Sequence, residues 1–136
     1  KLIKEMLKYA SEYDVISASR YVKGGKDKRG FLRILTSRTL NLFGSAVLNI
    51  HVKDLTSGFY LVKKEVFRKI RLKDRGYAEY CIRFAYDSVK SGFKWKEVPY
   101  IFKDREEGTS KSYMNMGNFL KNGYLCASEI IKLRFS

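Results

Sequence analysis

Arg105, Gly108, Ser110 and Lys111 share a charged loop that follows an apolar run in residues 98–112, VPYIFKDREEGTSKS. An arginine offers a planar fork of donors to phosphate oxygens, a lysine a mobile point charge, and a glycine lets the backbone come close to an anion. This chemistry leaves two readings open, a loop that holds phosphate groups and a solvated basic turn. A second cluster lies upstream. Arg33, Ser37 and Asn41 are spaced i, i+4, i+8 and so share one helical face near a helix start, where the macrodipole is positive and an anion is welcome. A solvated helix surface is the competing reading. The third cluster is Asp54, Thr56, Ser57 and Gly58, turn and capping residue types with a glycine that permits a tight backbone. One carboxylate beside two hydroxyls is not a nucleophilic triad, because no base is in view, and His51 reads as a surface or packing residue.

These residues need elements to position them. Residues 1–12 place Leu2, Ile3, Met6, Leu7 and Ala10 on one face of an amphipathic helix with lysines opposite. Residues 14–19, DVISAS, read as a short strand, and a helix followed by a strand this early resembles the middle of an α/β domain, so the chain is expected to begin partway through a fold. Arg20 to Arg38 is the most basic stretch, with Asp27 its single acid; Gly24, Gly25 and Gly30 make its first half a flexible loop. From Phe31 the pattern is helical, with Phe31, Leu35, Leu42, Ala46 and Ile50 along the apolar side. An apolar run from Phe59 predicts a strand. Residues 63–70 predict a short helix with Val66, Phe67 and Ile70 inward, and residues 77–91 a second helix ending at Gly92, a natural C′ residue. Residues 93–102 predict one strand, in which Pro99 lacks an N–H and suggests an edge or a strand start. In residues 113–136 a helix clusters Met116, Phe119, Leu120, Tyr124, Ala127, Ile130 and Ile131 with Lys121, Lys132 and Arg134 flanking. Such a helix suits an anionic lipid surface or packing against the domain.

Composition bounds the partners. The 136 residues suffice for one core, and 28 Lys+Arg against 14 Asp+Glu, a net +14, imply a polyanionic partner such as nucleic acid, an anionic membrane or a phosphorylated substrate. Cys81 and Cys126 form no CxxC pattern and read as buried, reduced thiols of a cytoplasmic protein. No apolar stretch is long enough to span a bilayer.

Three stretches in order, residues 14–22 (DVISASRYV), 53–59 (KDLTSGF) and 97–111 (EVPYIFKDREEGTSK), resemble the polyprenyl-phosphate mannosyltransferases, or dolichol-phosphate mannose synthases, of the family 2 glycosyltransferases. The resemblance runs from Lys1 to about Tyr113 and covers the second half of that family's catalytic domain. It implies a GT-A fold, an α/β domain with a mostly parallel sheet and flanking helices, here a partial one. Residues 1–112 would be the acceptor-side half and 113–136 an amphipathic, membrane-interfacial helix. It implies an enzyme at the cytoplasmic face of a membrane that transfers a hexose, usually mannose from GDP-mannose, to the phosphate of dolichol or another polyprenol, with inversion and with Mg²⁺ or Mn²⁺. By position, Arg20, Arg33 and Ser37 correspond to residues that contact the acceptor phosphate. Arg105 and Lys111 match the DRxxGxSK loop over the donor diphosphate and sugar, and Asp54, Ser57 and Gly58 match the DxTSGF turn that shapes the site floor. No residue is assigned as a general base.

The residue types agree with that chemistry: a lipid phosphate is already an anionic nucleophile, so arginines, a lysine and a metal matter more than a base. Ala18 departs from the family's usual glycine. Nucleotide-binding strands and acidic metal ligands are expected upstream of Lys1, with none of the metal ligands in this chain, so the chain alone is expected to be inactive. The expected partners are a nucleotide sugar, a polyprenyl phosphate and an anionic membrane surface. Two rival readings are a basic nucleic-acid-binding module, against which no recognition motif is present and the tyrosines are scattered, and a non-catalytic lipid-phosphate-binding half-domain.

Overall fold

The first strand is short, and every one of its residues is buried. The computed structural model describes residues 1–72, 76, 78–103 and 116–136 and, among these, all side chains except those of residues 116, 118 and 119. After helix α1 (Leu2–Leu7) comes strand β1 (Val15–Ser19), flanked in the sheet by β3 (Tyr60–Val62) and β4 (Trp95–Pro99). The β1–β4 pair is parallel, with Val15 opposite Trp95 and Ser19 opposite Pro99, while β1–β3 is antiparallel, with Val15 opposite Val62. A second, two-stranded parallel sheet joins β2 (Lys26–Asp27) to β5 (Ile101–Phe102). The remaining helices are α2 (Phe31–Leu48), α3 (Lys64–Lys69), α4 (Glu79–Lys90) and α5 (Met116–Phe135). The fold is therefore mixed α/β, as expected of a partial GT-A-like domain.

Both faces of β1 are covered because its side chains alternate between two cores. Ile16 packs with Met6 and Val98 under α1. Val15 belongs to the larger cluster, where Leu48, Phe84, Trp95, Cys126 and Ile130 bring α2, α4 and α5 onto the opposite face. Tyr60, Phe84 and Trp95 form an aromatic trio with ring centroids 5.3, 5.7 and 6.0 Å apart, and the Trp95 indole donates to Ser17 Oγ at 3.1 Å. Helix α4 stops where its sequence says it should: Gly92 has φ +88°, the left-handed residue that follows the Ser91 C-cap.

The structure departs from the sequence expectation in four places. The strand expected over residues 93–102 is broken at Tyr100. Pro99 ends β4 without an N–H to give; Tyr100 N–H donates to Ser19 O at 3.0 Å, and Tyr100 O accepts from Lys26 at 3.1 Å, so the chain changes partner from β1 to β2. The first half of the basic stretch carries strand β2, and Gly25 explains the tightness there: a Cβ on it would sit 2.5 Å from Ser19 O, too close for any side chain. Phe67 is half exposed, lying against Phe84 with ring centroids 6.1 Å apart instead of entering the core.

The fourth departure is the largest. Helix α2 turns its apolar stripe outward, leaving Phe31, Leu32, Leu35, Leu42 and Phe43 exposed, while Arg33, Asn41, Gly44 and Leu48 face the fold. Gly44 allows this approach, since a Cβ there would lie 2.6 Å from Leu55 Cδ1 and 2.9 Å from Ile130 Cδ1. Helix α5 divides its contacts, with Cys126, Ile130 and Leu133 buried against the core and Leu120, Tyr124, Ile131 and Phe135 bare. No described helix is long and apolar enough to cross a membrane.

Candidate functional site

The end of β1 delivers Arg20 into a buried ion-pair network with the turn that carries Asp54. Asp54 Oδ2 accepts the Arg20 backbone N–H at 3.0 Å and Nε–H at 2.9 Å, and Oδ1 accepts Nη2–H at 2.8 Å. Nη2 also donates to Thr56 Oγ1 at 2.9 Å, and Nη1 approaches Asp27 Oδ2 at 3.5 Å. Burial alone would lower the Arg20 pKa, but the Asp54 hydrogen bonds and charge outweigh it and hold the guanidinium above its ordinary value. A fork engaged on two of its edges fixes the plane of the guanidinium, as a lysine could not.

The turn is held from two other directions. Glu97 on β4 grips its start, with Oε2 and Oε1 accepting the Lys53 and Asp54 backbone N–H groups, each at 2.9 Å. Asn41 on α2 grips its middle: Oδ1 accepts from Leu55 N at 2.6 Å and Thr56 N at 3.3 Å, and Nδ2 donates to Thr56 Oγ1 at 3.1 Å and Ser37 O at 2.8 Å. These contacts explain why the polar face of α2 is the buried one. It carries the groups that satisfy the turn's backbone, which would otherwise lose its water without replacement.

Beside this network lies a cavity of about 880 Å³. Arg20, Arg29 and Arg33 line it together with Ser37, Ser57 and Gly58, and its other walls include Leu35, Leu40 and Phe43 of α2 and Leu120 and Tyr124 of α5. Ser37 Oγ accepts the Tyr21 hydroxyl at 2.8 Å. Ser57 Oγ is buried with no hydrogen-bond partner among the described residues. Arg20, Arg33 and Ser37, the three residues assigned to the acceptor phosphate, thus line one cavity, and the competing reading of a solvated α2 face does not hold. Of the site-shaping residues, Ser57 and Gly58 line the cavity, whereas Asp54 is buried behind it, committed to Arg20. Gly58 does not have the tight backbone expected of it: its φ is not positive, and a Cβ would meet Tyr80 Oη at an ordinary 3.8 Å. Arg105, Gly108, Ser110 and Lys111 lie outside the described residues.

Three residues that the motif reading left without a role complete the arrangement. Asp27 accepts Arg29 Nε–H at 2.8 Å and Nη2–H at 2.5 Å as well as reaching Arg20, which explains a lone acid in so basic a stretch. Burial would raise the Asp27 carboxyl, but the hydrogen bonds and charge of Arg29 more than offset that and hold it below its ordinary value. Arg29 rests over the Phe102 ring at 5.1 Å from its centroid, which ties β2 to the strand from which the 104–115 segment departs. Glu97 was legible only as part of a motif, because its partners are backbone groups more than forty positions away.

The donor set does not fit a metal ion. Among the described residues no group of three or more His, Cys, Asp or Glu is placed to hold one, and Asp27 and Asp54 are both occupied by arginines. Cys81 and Cys126 are buried and unpaired with each other; burial, then the charge of Glu79, pushes the Cys126 thiol up to about 12. A thiol so placed is a packing group at neutral pH. His51 is exposed.

This chain is similar, among others, to two mannose-transferring enzymes. Over 101 residues it is 34% identical to a polyprenol monophosphomannose synthase of Mycolicibacterium smegmatis, an alignment covering 72% of this chain and 38% of that protein. Over 104 residues it is 37% identical to a dolichol-phosphate mannosyltransferase of Pyrococcus furiosus, covering 72% of this chain and 28% of that protein. Both are homologues over that stretch, so the resemblance carried by the three motifs is shown, and the chain spans less than two fifths of either relative. No family model matches the chain.

Proposed function

We infer that this homologue of polyprenol- and dolichol-phosphate mannosyltransferases forms the acceptor side of a glycosyltransferase that moves a hexose onto the phosphate of a polyprenol. The observation that carries the reading is the mixed character of the cavity. A free phosphate has no use for Leu35, Phe43 and Leu120, and an apolar ligand has no use for three arginines. A polyprenyl phosphate uses both.

In this reading Arg33 and Ser37 hold the acceptor phosphate, and Arg20 braces the cavity wall through Asp54. A phosphate oxygen attacks the anomeric carbon of the sugar while the bond from that carbon to the nucleoside diphosphate breaks, and the electron pair leaves with the diphosphate. A single displacement inverts the centre. The nucleophile is an anion before it arrives, so no side chain has to remove a proton, and the protein's contribution is to hold two repelling phosphate groups in line. Arg105 and Lys111 are assigned to the donor diphosphate, with GDP-mannose as the donor. Mg²⁺ or Mn²⁺ is part of the proposal, with none of the described residues assigned to hold it.

The bare apolar faces of α2 and α5 support a membrane setting. Phe31, Leu42, Tyr124 and Ile131 are exposed on helices that also carry Arg38, Lys121, Lys132 and Arg134. Apolar side chains flanked by cations suit the boundary of an anionic lipid surface, where a polyprenyl phosphate resides. We place that surface on the cytoplasmic side.

The test is transfer of labelled mannose from GDP-mannose to a polyprenyl phosphate by the full-length protein in membranes, for wild type and Arg33→Ala. Loss of about 100-fold or more in rate with the fold intact is expected for a residue that stabilises transferring phosphate charge. No transfer by the wild type from GDP-mannose or from UDP-hexoses, or wild-type rates from Arg33→Ala, overturns the reading.

A further inference from the structure

Among the described residues, no side chain caps the first turn of α2. Gly30 stands at the N-cap, no side-chain cap hydrogen bond forms there, and the helix runs for 18 residues, so the positive end of its dipole is well developed. Arg29 directly precedes this turn. Its guanidinium is held on Asp27 by Nε and Nη2, its backbone N–H donates to the same carboxylate at 3.2 Å, and its side chain is only 13% exposed. Among the described residues Nη1 of Arg29 has no hydrogen-bond partner, although the residue lines the cavity.

An independent observation says the cavity awaits a polar ligand. Ser57 lines it, is 4% exposed, and its hydroxyl has no partner among the described residues. A buried hydroxyl left in that state is a cost the fold carries until something else supplies the bond.

We propose that Arg29 is a phosphate-binding residue of this cavity, acting through Nη1, and that Asp27 is the residue that positions it. The shape of arginine is what permits the double duty. One edge of the fork is taken by a carboxylate while the far nitrogen stays in the same rigid plane, available to an oxygen of the ligand; a lysine ammonium has no second, fixed edge. Asp27 also reaches Arg20 at 3.5 Å, so one buried carboxylate lets two like charges stand at the same cavity before any anion is present. Phe102 backs the Arg29 guanidinium and limits the directions it can swing. The ligand chemistry is a terminal phosphate group, which a lipid monophosphate and free phosphate both present. This deepens the proposed function and rests on that reading only for the apolar part of the ligand.

The experiment is calorimetric titration of the full-length protein in detergent micelles with two probes, inorganic phosphate and a short-chain polyprenyl monophosphate. Wild type is compared with Arg29→Gln, Arg29→Lys, Asp27→Asn and the exposed-site control Lys64→Ala, each checked for native circular dichroism. Arg29→Gln is expected to weaken both probes by about 10- to 100-fold, the range for a hydrogen bond to a charged group, with Arg29→Lys between it and wild type and the control within about twofold. Natively folded Asp27→Asn is expected to weaken both probes as well; unchanged affinity there overturns its positioning role, and if that variant does not fold the two Arg29 variants decide. If the wild type binds polyprenyl phosphate and Arg29→Gln behaves like the control, the inference falls and the acceptor reading survives. If Arg29-dependent binding is seen for inorganic phosphate with no gain from the polyprenyl chain, the inference stands and the acceptor reading falls. If neither probe binds, both fall.

Discussion

Ahead of Gly44 the buried side chains of α2 are polar while its outer face is apolar and bare: Arg33 and Asn41 are 6% and 1% exposed, Phe31 and Leu42 79% and 65%. A helix packed on a domain in water normally does the reverse, because each buried apolar side chain contributes roughly 1.5–3 kcal/mol. Inversion on this scale says that the two faces answer to different demands. Inside, Asn41 closes the hydrogen bonds of the 53–57 turn, and Arg33 stands at the cavity. Outside, the apolar stripe is bare, as the proposed membrane setting would require. Helix α5 makes the contrast sharper within one element, since Ile130 is buried against Gly44 and the adjacent Ile131 is about half exposed.

The comparison is most directly broken from the inside. Asp54→Ala leaves Arg20 buried beside a vacated partner and is expected to cost about 3–5 kcal/mol in chemical denaturation of the full-length protein; a change under 1 kcal/mol would show that the network is ornamental to stability. Next in size is the close approach of β2 to β1. Gly25→Ala forces a Cβ against the Ser19 carbonyl and is expected to cost about 1–3 kcal/mol, whereas Gly58→Ala, with only an ordinary contact to Tyr80 and no positive φ, should stay within about 0.5 kcal/mol. Equal melting shifts for the two would contradict the geometry described for both.

A smaller effect follows from Asp27. Its carboxyl is held below the ordinary 3.8 in the fold, so its contribution is fully present above that pH and is lost as pH falls through the folded value. The stability difference between wild type and Asp27→Asn should therefore be flat from neutral pH down to about 5 and shrink below 3.8. A difference that vanished near neutral pH would mean that Arg29 does not hold this carboxylate. The smallest expected change is on the outside. Phe31→Ser with Leu42→Ser should alter unfolding free energy by no more than about 0.5 kcal/mol per site, yet reduce sedimentation with vesicles rich in anionic lipid. Lost stability with unchanged vesicle binding would turn the outer face into core.

Much of the site was legible before any coordinates. Arg33 and Ser37 were paired by helical spacing, Asp54, Ser57 and Gly58 by turn chemistry, and the similarity to two named mannosyltransferases bears out the family resemblance of the three motifs. Asp27 and Arg29 were visible as residues but not as a pair, since neither spacing nor composition says which acid answers which base. Gly58 was misjudged for a related reason: a glycine in a turn suggests an unusual backbone, yet only φ and the neighbouring atoms decide whether one is needed.

The sequence alone determined the local features, because their causes are local. Periodicity set the helices and Gly92 ended α4, whereas the break at Pro99 and Tyr100 was not among the expectations. Only the tertiary structure decided which side of α2 is inside. Helical periodicity groups residues on a face but carries no information about what that face meets, and the groups that turned it inward, the N–H of Leu55 and Thr56, lie on another segment of the chain.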